Sequence, residues 1–239
     1  MFPIGDDERP GRGLAIVTLG LIVINVAIFL FEVSLGAGVE NFVRTYGAVP
    51  REILTGQDVP PAGPTPLWIQ LLTSMFLHGG WLHLIGNMAY LRVFGDDIEE
   101  AFGKFGYILF YLGTGLVASL THIFLSGPND TIPSVGASGA IAGVLGAYLV
   151  LFPNRQIHVL IPGMYFRTGR VSALVMLGFW FLLQFFDGIG ALTGGTAQTG
   201  GVAVWAHIGG FVAGALVAFL LRGRVHLPQL YSRTPLTRR

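Results

Sequence analysis

The 239 residues are 52% hydrophobic and only 11% charged, with a mean hydropathy of +0.66. A soluble domain usually carries about 25% charged residues, so this composition excludes a water-exposed globular domain and indicates that lipid is the main solvent. The formal net charge of +1 gives no sign of a nucleic-acid partner, and a chain with no cysteine cannot form disulfides or thiolate metal sites.

Apolar runs, taken in chain order, predict six membrane-spanning helices, because a span needs roughly 17–25 apolar residues. The first runs from Gly13 to about Phe31 and is too long for a cleaved signal peptide. A polar segment rich in proline and glycine follows. The apolar stretch 67–94 is broken at 78–80, so its first half is expected to be an interfacial helix and its second half, from Trp81 to Phe94, the second span. The remaining spans are expected at about 106–125, 138–152, 171–186 and 202–221.

The distribution of Lys and Arg sets the orientation of these spans. With the N-terminus in the cytoplasm, twelve of the 14 basic residues fall in inside segments, and only Arg44 and Arg51 fall in an outer loop. Six spans with both termini cytoplasmic therefore fit the charges. The chain then divides into an N-terminal segment 1–12, a membrane domain 13–222 with its first outer loop at about 32–80, and a basic tail 223–239.

Polar residues inside three of the spans are the candidate functional groups, because such residues are costly in lipid and usually mark function. His83 and Asn87 lie within two turns of the outer end of span two and share one helix face. Ser138 opens span four, and His207 lies about one turn into span six. All three spans enter from outside, so the four side chains are expected at one depth in the outer half of the membrane.

Pairs of glycines spaced four residues apart follow both the serine and the histidine. Gly139 and Gly143 follow Ser138, whereas Gly210 and Gly214 follow His207. Such small-residue ridges allow two helices to approach closely. If spans four and six pack through them, the serine hydroxyl and the imidazole can come within the ~2.6–3.2 Å that a nucleophile and its base require.

Together these groups form a candidate serine-hydrolase site. A neutral imidazole suits the removal of the Ser138 hydroxyl proton, and the developing oxyanion needs hydrogen-bond donors. The expected donors are the Asn87 amide, the His83 imidazole and the backbone N–H groups around Ser138, from Gly136 onward. Asp187 is the one acidic residue that could orient His207, but we expect it at a helix end or in a loop. The sequence therefore predicts a catalytic dyad rather than a triad.

The three motifs, in this order, resemble the rhomboid family of intramembrane serine proteases. They are the run from His78 through His83 to Asn87, the turn Gly-Ala-Ser-Gly at 136–139, and Ala-His-Ile-Gly-Gly-Phe-Val-Ala-Gly at 206–214. The resemblance covers roughly 67–219. It implies an all-α, six-helix membrane bundle with a partly embedded first loop, which cleaves transmembrane segments of other proteins near their outer ends. It also implies Ser138 as nucleophile, His207 as base, and His83 and Asn87 as oxyanion hole. Substrate entry would be gated by span five and the loop before span six.

Two positions depart from the family pattern. Many relatives have an aromatic residue four positions after the serine, which stacks on the histidine, whereas this chain has Ala142. We therefore expect another group, Trp205 or Phe211, to hold His207. Many relatives also have a Trp-Arg pair in the first loop, where this chain has Ile69-Gln70 after Trp68.

Other interpretations of single residues are less specific. His78 is expected to bond to first-loop backbone, and His122 and His158 to be solvated or interfacial. A zinc site of His78, His83 and His207 is possible by residue type, but the chain contains no H-E-x-x-H motif and zinc leaves Ser138 unexplained. We therefore expect neither a metal nor a cofactor.

Three functions remain to be distinguished. The leading one is an intramembrane serine endopeptidase with transmembrane proteins as substrates and lipid as its other partner. The second is an inactive relative that binds transmembrane proteins, although both Ser138 and His207 are present. The third is a small-solute transporter, which would require discontinuous helices and an internal repeat. The short N-terminal segment favours a multi-pass protein of a prokaryotic plasma membrane.

Overall fold

The computed structural model describes residues 2–7, 13–161, 167–192 and 203–225. Arg9, Arg12 and the tail residues beyond 225, on which part of the predicted orientation rests, lie outside the described residues. Within these ranges the helices are α1 Ile16–Ser34, α2 Val39–Tyr46, α3 Pro50–Thr55, α4 Gln70–Thr73, α5 Trp81–Ser126, α6 Ser138–Leu151, α7 Ala173–Leu192 and α8 Val204–Leu221, with short 3-10 helices Gly36–Gly38, Leu67–Ile69 and Ser74–Phe76. The strands are β1 Phe2–Asp6, β2 Gln156–Ile161 and β3 Arg167–Ser172.

Four helices in the described ranges are long and apolar enough to cross a membrane: α1, α5, the segment Ala173–Gly190 of α7, and α8. Helix α5 has 46 residues, which at 1.5 Å per residue exceeds twice the ~30 Å hydrocarbon thickness. It consists of two helical segments joined at Gly103, whose φ of 70° and ψ of 162° are not helical. The sequence predicted a loop between two separate spans, whereas the chain stays helical on both sides of this single glycine.

Glu99, in the segment of α5 just before Gly103, is bound to the start of α1. The Glu99 carboxylate accepts hydrogen bonds from the backbone N–H groups of Val17 and Thr18, at 3.0 and 2.8 Å, and from the Thr18 hydroxyl. These N–H groups lie in the first turn of α1, where no preceding carbonyl can satisfy them. Glu99 therefore joins the start of α1 to α5.

Helix α6 is the centre of the bundle. Every residue from Gly139 to Tyr148 is buried, although the helix has only 14 residues. Its small side chains allow close packing against α5 and α8, its main neighbours. A helix that is apolar on every face is expected to be surrounded by protein. Because neighbouring helices cover it, α6 does not need the length of a lipid-exposed span.

The glycines of α6 and α8 permit close contact in two different directions. A Cβ at Gly214 of α8 would stand 2.5 Å from the carbonyl carbon of Gly143 and 2.6 Å from its Cα. A Cβ at Gly139 would instead stand 2.7 Å from the Cβ of Ala118 in α5, and one at Gly143 would meet Thr114 of α5. The α8 ridge therefore lies directly against the backbone of Gly139 and Gly143, while the α6 glycines also make room for Ala118 and Thr114 of α5.

A three-stranded antiparallel sheet, in the order β1-β2-β3, departs from the expected all-α architecture. Strand β1 comes from the N-terminal segment and pairs with β2, which follows α6. In β2 the residues Ile157 and Val159 are buried while their neighbours are partly exposed, the alternation typical of a strand with one covered face. The strands have at most six residues each, and the pairing of β1 with β2 joins residues about 150 positions apart, so the local signal for this sheet in the sequence is weak.

A buried ionic cluster fastens this sheet to the helices. Arg155, 4% exposed, lies 3.1 Å from the Asp6 carboxylate and pairs with Asp97 of α5. The Tyr148 hydroxyl of α6 donates to the same Asp6 oxygen at 2.8 Å. Burial alone would raise the pKa of Asp6, but its side-chain hydrogen bonds and the Arg155 charge hold that pKa below its usual value.

The first loop is anchored by Gln70, at the position where the family pattern predicts an arginine. Its side chain is fully buried and donates to the Glu52 carboxylate and to the Thr45 carbonyl. The Thr73 hydroxyl donates to the Tyr46 carbonyl at 2.7 Å. These bonds connect α4 with α2 and α3, two helices in a segment for which the sequence predicted no regular structure.

Candidate active site

Ser138 is the first residue of α6, and the turn before it depends on glycine. Gly136 has a φ of 131°, and a Cβ there would stand 2.8 Å from two atoms of the His83 ring. An L side chain is disfavoured by that conformation and has no room beside the ring. The Gly136 N–H donates to the Ser74 carbonyl at 2.9 Å, which holds the turn against the first loop.

His207 lies in the first turn of α8, with its ring between α6 and α7. Its Nε2 is 2.8 Å from the Ser138 Oγ, which is within hydrogen-bond distance. Its Nδ1 is 2.7 Å from the Oε1 of Gln184 in α7. In the described part of the chain, both ring nitrogens of His207 therefore have a partner, and neither partner is a carboxylate.

The aromatic neighbour of His207 is Trp180 of α7, whose ring centre lies 5.8 Å away at an angle of 39°. Phe211 lies against Trp180 at 6.0 Å rather than beside the imidazole. Trp205 points toward Gly188 of α7. An aromatic ring thus approaches His207 from a different helix, and neither Trp205 nor Phe211 takes the place that Ala142 leaves empty.

His83 presents a ring nitrogen to the turn before Ser138. The backbone N–H of Gly79 donates to His83 Nδ1 at 3.3 Å. A neutral imidazole carries one hydrogen, so Nδ1 as acceptor leaves the N–H on Nε2. That Nε2 is one of the two ring atoms closest to Gly136. The hydrogen bond from Gly79 thus makes His83 a donor on the side of the serine.

Asn87 is held by a chain of buried polar groups that begins in α1. Its Nδ2 is 3.1 Å from His78 Nε2, and the His78 backbone N–H donates to the Glu32 carboxylate. Glu32 and His78 are 1% and 2% exposed. Besides the expected contact with first-loop backbone, at Phe76, His78 contacts Glu32 and Asn87. An acidic residue at the end of the first apolar run is the signal that could have indicated Glu32.

The predicted site residues surround one cavity of about 660 Å³. The predicted residues Ser138, His207, His83, Asn87 and Gly136 all line it, and so does Trp180 of α7. This volume is typical of a small-ligand pocket. The structure therefore brings together residues from α5, α6, α7 and α8.

Gln184 is the site neighbour that the sequence interpretation missed. It is a strongly polar side chain within the otherwise apolar run of α7, which is the signal that could have identified it. Asp187, expected at a helix end or in a loop, lies within α7 and is exposed. No group of three or more potential metal-ligating side chains occurs among the residues that the structure describes.

Several known proteins are similar in sequence to the part of the chain that contains this site. A family model for the rhomboid domain matches residues 66–224. The rhomboid protease AarA of Providencia stuartii is 26% identical over 91% of this chain and 76% of its own length. The rhomboid protease GluP of Bacillus subtilis is 30% identical over 81% of this chain, which spans only 32% of that relative.

A plant relative shows a similar degree of likeness. The chloroplastic rhomboid-like protein 11 of Arabidopsis thaliana is 32% identical over 65% of this chain and 53% of its own length. The domain match covers well over half of the 239 residues. The chain therefore belongs to the rhomboid family.

Proposed function

We propose that this protein is an intramembrane serine endopeptidase that cleaves transmembrane segments of other membrane proteins with a dyad of Ser138 and His207. Family membership supports the reaction class, an intramembrane serine protease. The single observation that carries the dyad is the 2.8 Å distance between His207 Nε2 and Ser138 Oγ.

The reaction begins at this hydrogen bond. His207 Nε2 accepts the hydroxyl proton as Ser138 Oγ attacks the peptide carbonyl carbon. The imidazolium then gives that proton to the leaving nitrogen, which leaves an acyl group on the serine. Water, deprotonated by the same imidazole, hydrolyses the ester and restores the hydroxyl.

The oxyanion hole consists of the His83 Nε2–H, the Asn87 amide and backbone N–H groups from Gly136 to the start of α6. Backbone N–H groups at a helix start have no intrahelical acceptor and are suited to an anion. The contacts of His83 with Gly79 and of Asn87 with His78 fix both side chains before substrate binds. Such preorganised donors stabilise the transition state without a reorganisation cost.

The membrane arrangement follows from the helices and charges. The two segments of α5 count as separate spans, and α6 counts as a short one, so residues 13–222 form six spans with both termini cytoplasmic. Ser138 and His207 then lie near the outer face, and the sheet and the Asp6 cluster lie on the cytoplasmic side. The first loop, about 32–80, lies partly in the membrane, and residues 223–239 form a basic cytoplasmic tail. The membrane is a prokaryotic plasma membrane.

A fluorophosphonate probe tests the proposal without a known substrate, because it reacts only with an activated serine. We expect purified protein to be labelled and Ser138→Ala to be unlabelled. Ser119→Ala, which removes a different serine lining the same cavity, is the matched control and should be labelled normally. A folded wild type without labelling would favour an inactive, client-binding relative, and labelling that persists in Ser138→Ala would exclude Ser138 as the nucleophile.

A further inference from the structure

Gln184 is placed to determine which nitrogen of His207 carries the proton. Its Oε1 lies 2.7 Å from His207 Nδ1, on the opposite side of the ring from Ser138. The residue is half-buried in α7, where both adjacent side chains are apolar and the charged Asp187, one turn later, is exposed. A polar amide in such surroundings is costly unless it makes a hydrogen bond, so the contact with His207 explains the presence of Gln184.

The tautomer of His207 follows from the chemistry of this contact. A neutral imidazole has one N–H and one lone pair, and an amide oxygen can only accept. The contact with Oε1 therefore requires the hydrogen on Nδ1, which leaves the lone pair of Nε2 facing the Ser138 hydroxyl. If the amide nitrogen donated to Nδ1 instead, Nε2 would carry the hydrogen and could not accept the serine proton.

We propose that Gln184 is a positioning residue that holds His207 in the Nδ1–H tautomer and aims its Nε2 at Ser138. The inference rests on the proposed function and extends its dyad by a neutral third member. In a serine triad a carboxylate performs this orientation. A carboxylate buried in a membrane helix is expensive, whereas an amide provides the same acceptor without a charge. Gln184 also continues to accept from Nδ1–H when His207 becomes an imidazolium.

Two isosteric substitutions separate hydrogen bonding from packing. Gln184→Met keeps the length of the side chain but removes the acceptor, and Gln184→Glu keeps an acceptor at the same place. A neutral hydrogen bond contributes about 0.5–1.5 kcal/mol, so we expect Gln184→Met to slow fluorophosphonate labelling of Ser138 roughly 3- to 10-fold. Gln184→Glu should stay within roughly threefold of wild type. The control Val175→Ala, at an exposed position near the start of α7, should label at the wild-type rate.

The tautomer itself is measured by NMR of protein labelled with ¹⁵N-histidine, in detergent micelles. Six histidines are present, and the His207 signals are identified by their loss in His207→Ala. We expect a protonated Nδ1 and an unprotonated Nε2 in wild type, with the Nε2–H form gaining population in Gln184→Met. This readout does not depend on catalysis, and a purely structural role for Gln184 would not change it.

The outcomes are distinct. A wild-type His207 with its hydrogen on Nε2 overturns the inference, and so does a Gln184→Met protein that labels as fast as wild type. If Gln184→Met does not fold, the wild-type spectrum still decides the matter. Absence of labelling in wild type would count against the proposed function alone, because the NMR measurement would still test the contact.

Discussion

Helices α6 and α8 pack so closely that we expect Gly214→Ala, which adds one methyl group, to displace His207 and reduce activity. In Gly214→Ala the new Cβ would stand 2.5 Å from the Gly143 carbonyl carbon, whereas ordinary contacts begin at 3.4 Å. The atom in the way is backbone, so no side-chain rotation relieves the clash. Helix α8 must therefore move away from α6 by about 1 Å or more.

The same movement stretches the catalytic hydrogen bond. A shift of about 1 Å directed along the hydrogen bond would lengthen the 2.8 Å distance between His207 Nε2 and Ser138 Oγ to at most about 3.8 Å, beyond hydrogen-bond range. Misplacement on this scale can cost about 100-fold in rate. Overpacking a tight interface also costs about 1–3 kcal/mol of stability. We therefore expect a Gly214→Ala protein that still folds but labels about two orders of magnitude more slowly.

The assay is the rate of fluorophosphonate labelling of Ser138 in detergent micelles, measured beside the thermal midpoint of unfolding. Gly113→Ala is the matched control, because this glycine of α5 is exposed and a Cβ there meets nothing within 4 Å. It should match wild type in both measurements. A Gly214→Ala protein with the wild-type labelling rate would refute the idea that this helix contact positions the base.

Three further predictions concern the oxyanion hole and the ionic cluster. Asn87→Ala should slow labelling of Ser138 on the order of 10²- to 10³-fold and also lower the thermal midpoint, because it leaves the buried His78 Nε2 without its partner. An unchanged labelling rate in the folded variant would remove Asn87 from the oxyanion hole. Arg155→Met should lower the free energy of unfolding by roughly 3–5 kcal/mol, because it leaves Asp6 and Asp97 buried without a counter-charge. The control Arg44→Met, which breaks an exposed pair with Glu40, should lower it by under about 1 kcal/mol. Equal losses for the two variants in denaturant titrations would contradict this. Because the pKa of folded Asp6 lies below its usual value of 3.8, its contribution to stability is complete above that pH and is lost as the pH falls through the folded pKa. Asp6→Asn should therefore lower the thermal midpoint at neutral pH and weaken its fall in acid, and parallel acid profiles for both proteins would count against this linkage.

Local patterns were enough to predict the main helices. Three of the four long apolar helices, α1, α7 and α8, were expected from runs of apolar residues, and their ends lie within a few residues of the expected ones, whereas the fourth, α5, joins two expected spans. Helix α7 differs most, because it continues past Phe186 to Leu192 and includes Asp187. An exposed charged residue near a helix end costs little, so charge alone does not mark where such a helix stops.

Features that depend on distant pairing were not predicted. Strand β1 pairs with a strand about 150 residues later, and its Asp6 contacts Arg155 and Tyr148 over a similar separation. Neither side of such a contact carries a periodic signal that identifies the other. The same reason applies to α2 and α3, whose stability depends on first-loop contacts such as that of Glu52 with Gln70.

The sequence by itself selected the candidate site residues and predicted a common depth for them, because span length and charge asymmetry are local properties of a chain in a bilayer. Ser138, His207, His83 and Asn87 could be selected on that basis. Only the tertiary structure decided how they are held: His207 by Gln184 and Trp180 from α7, and Asn87 by His78 and Glu32. These contacts depend on the rotation of each helix about its axis and on its neighbours, which depth and residue type leave open.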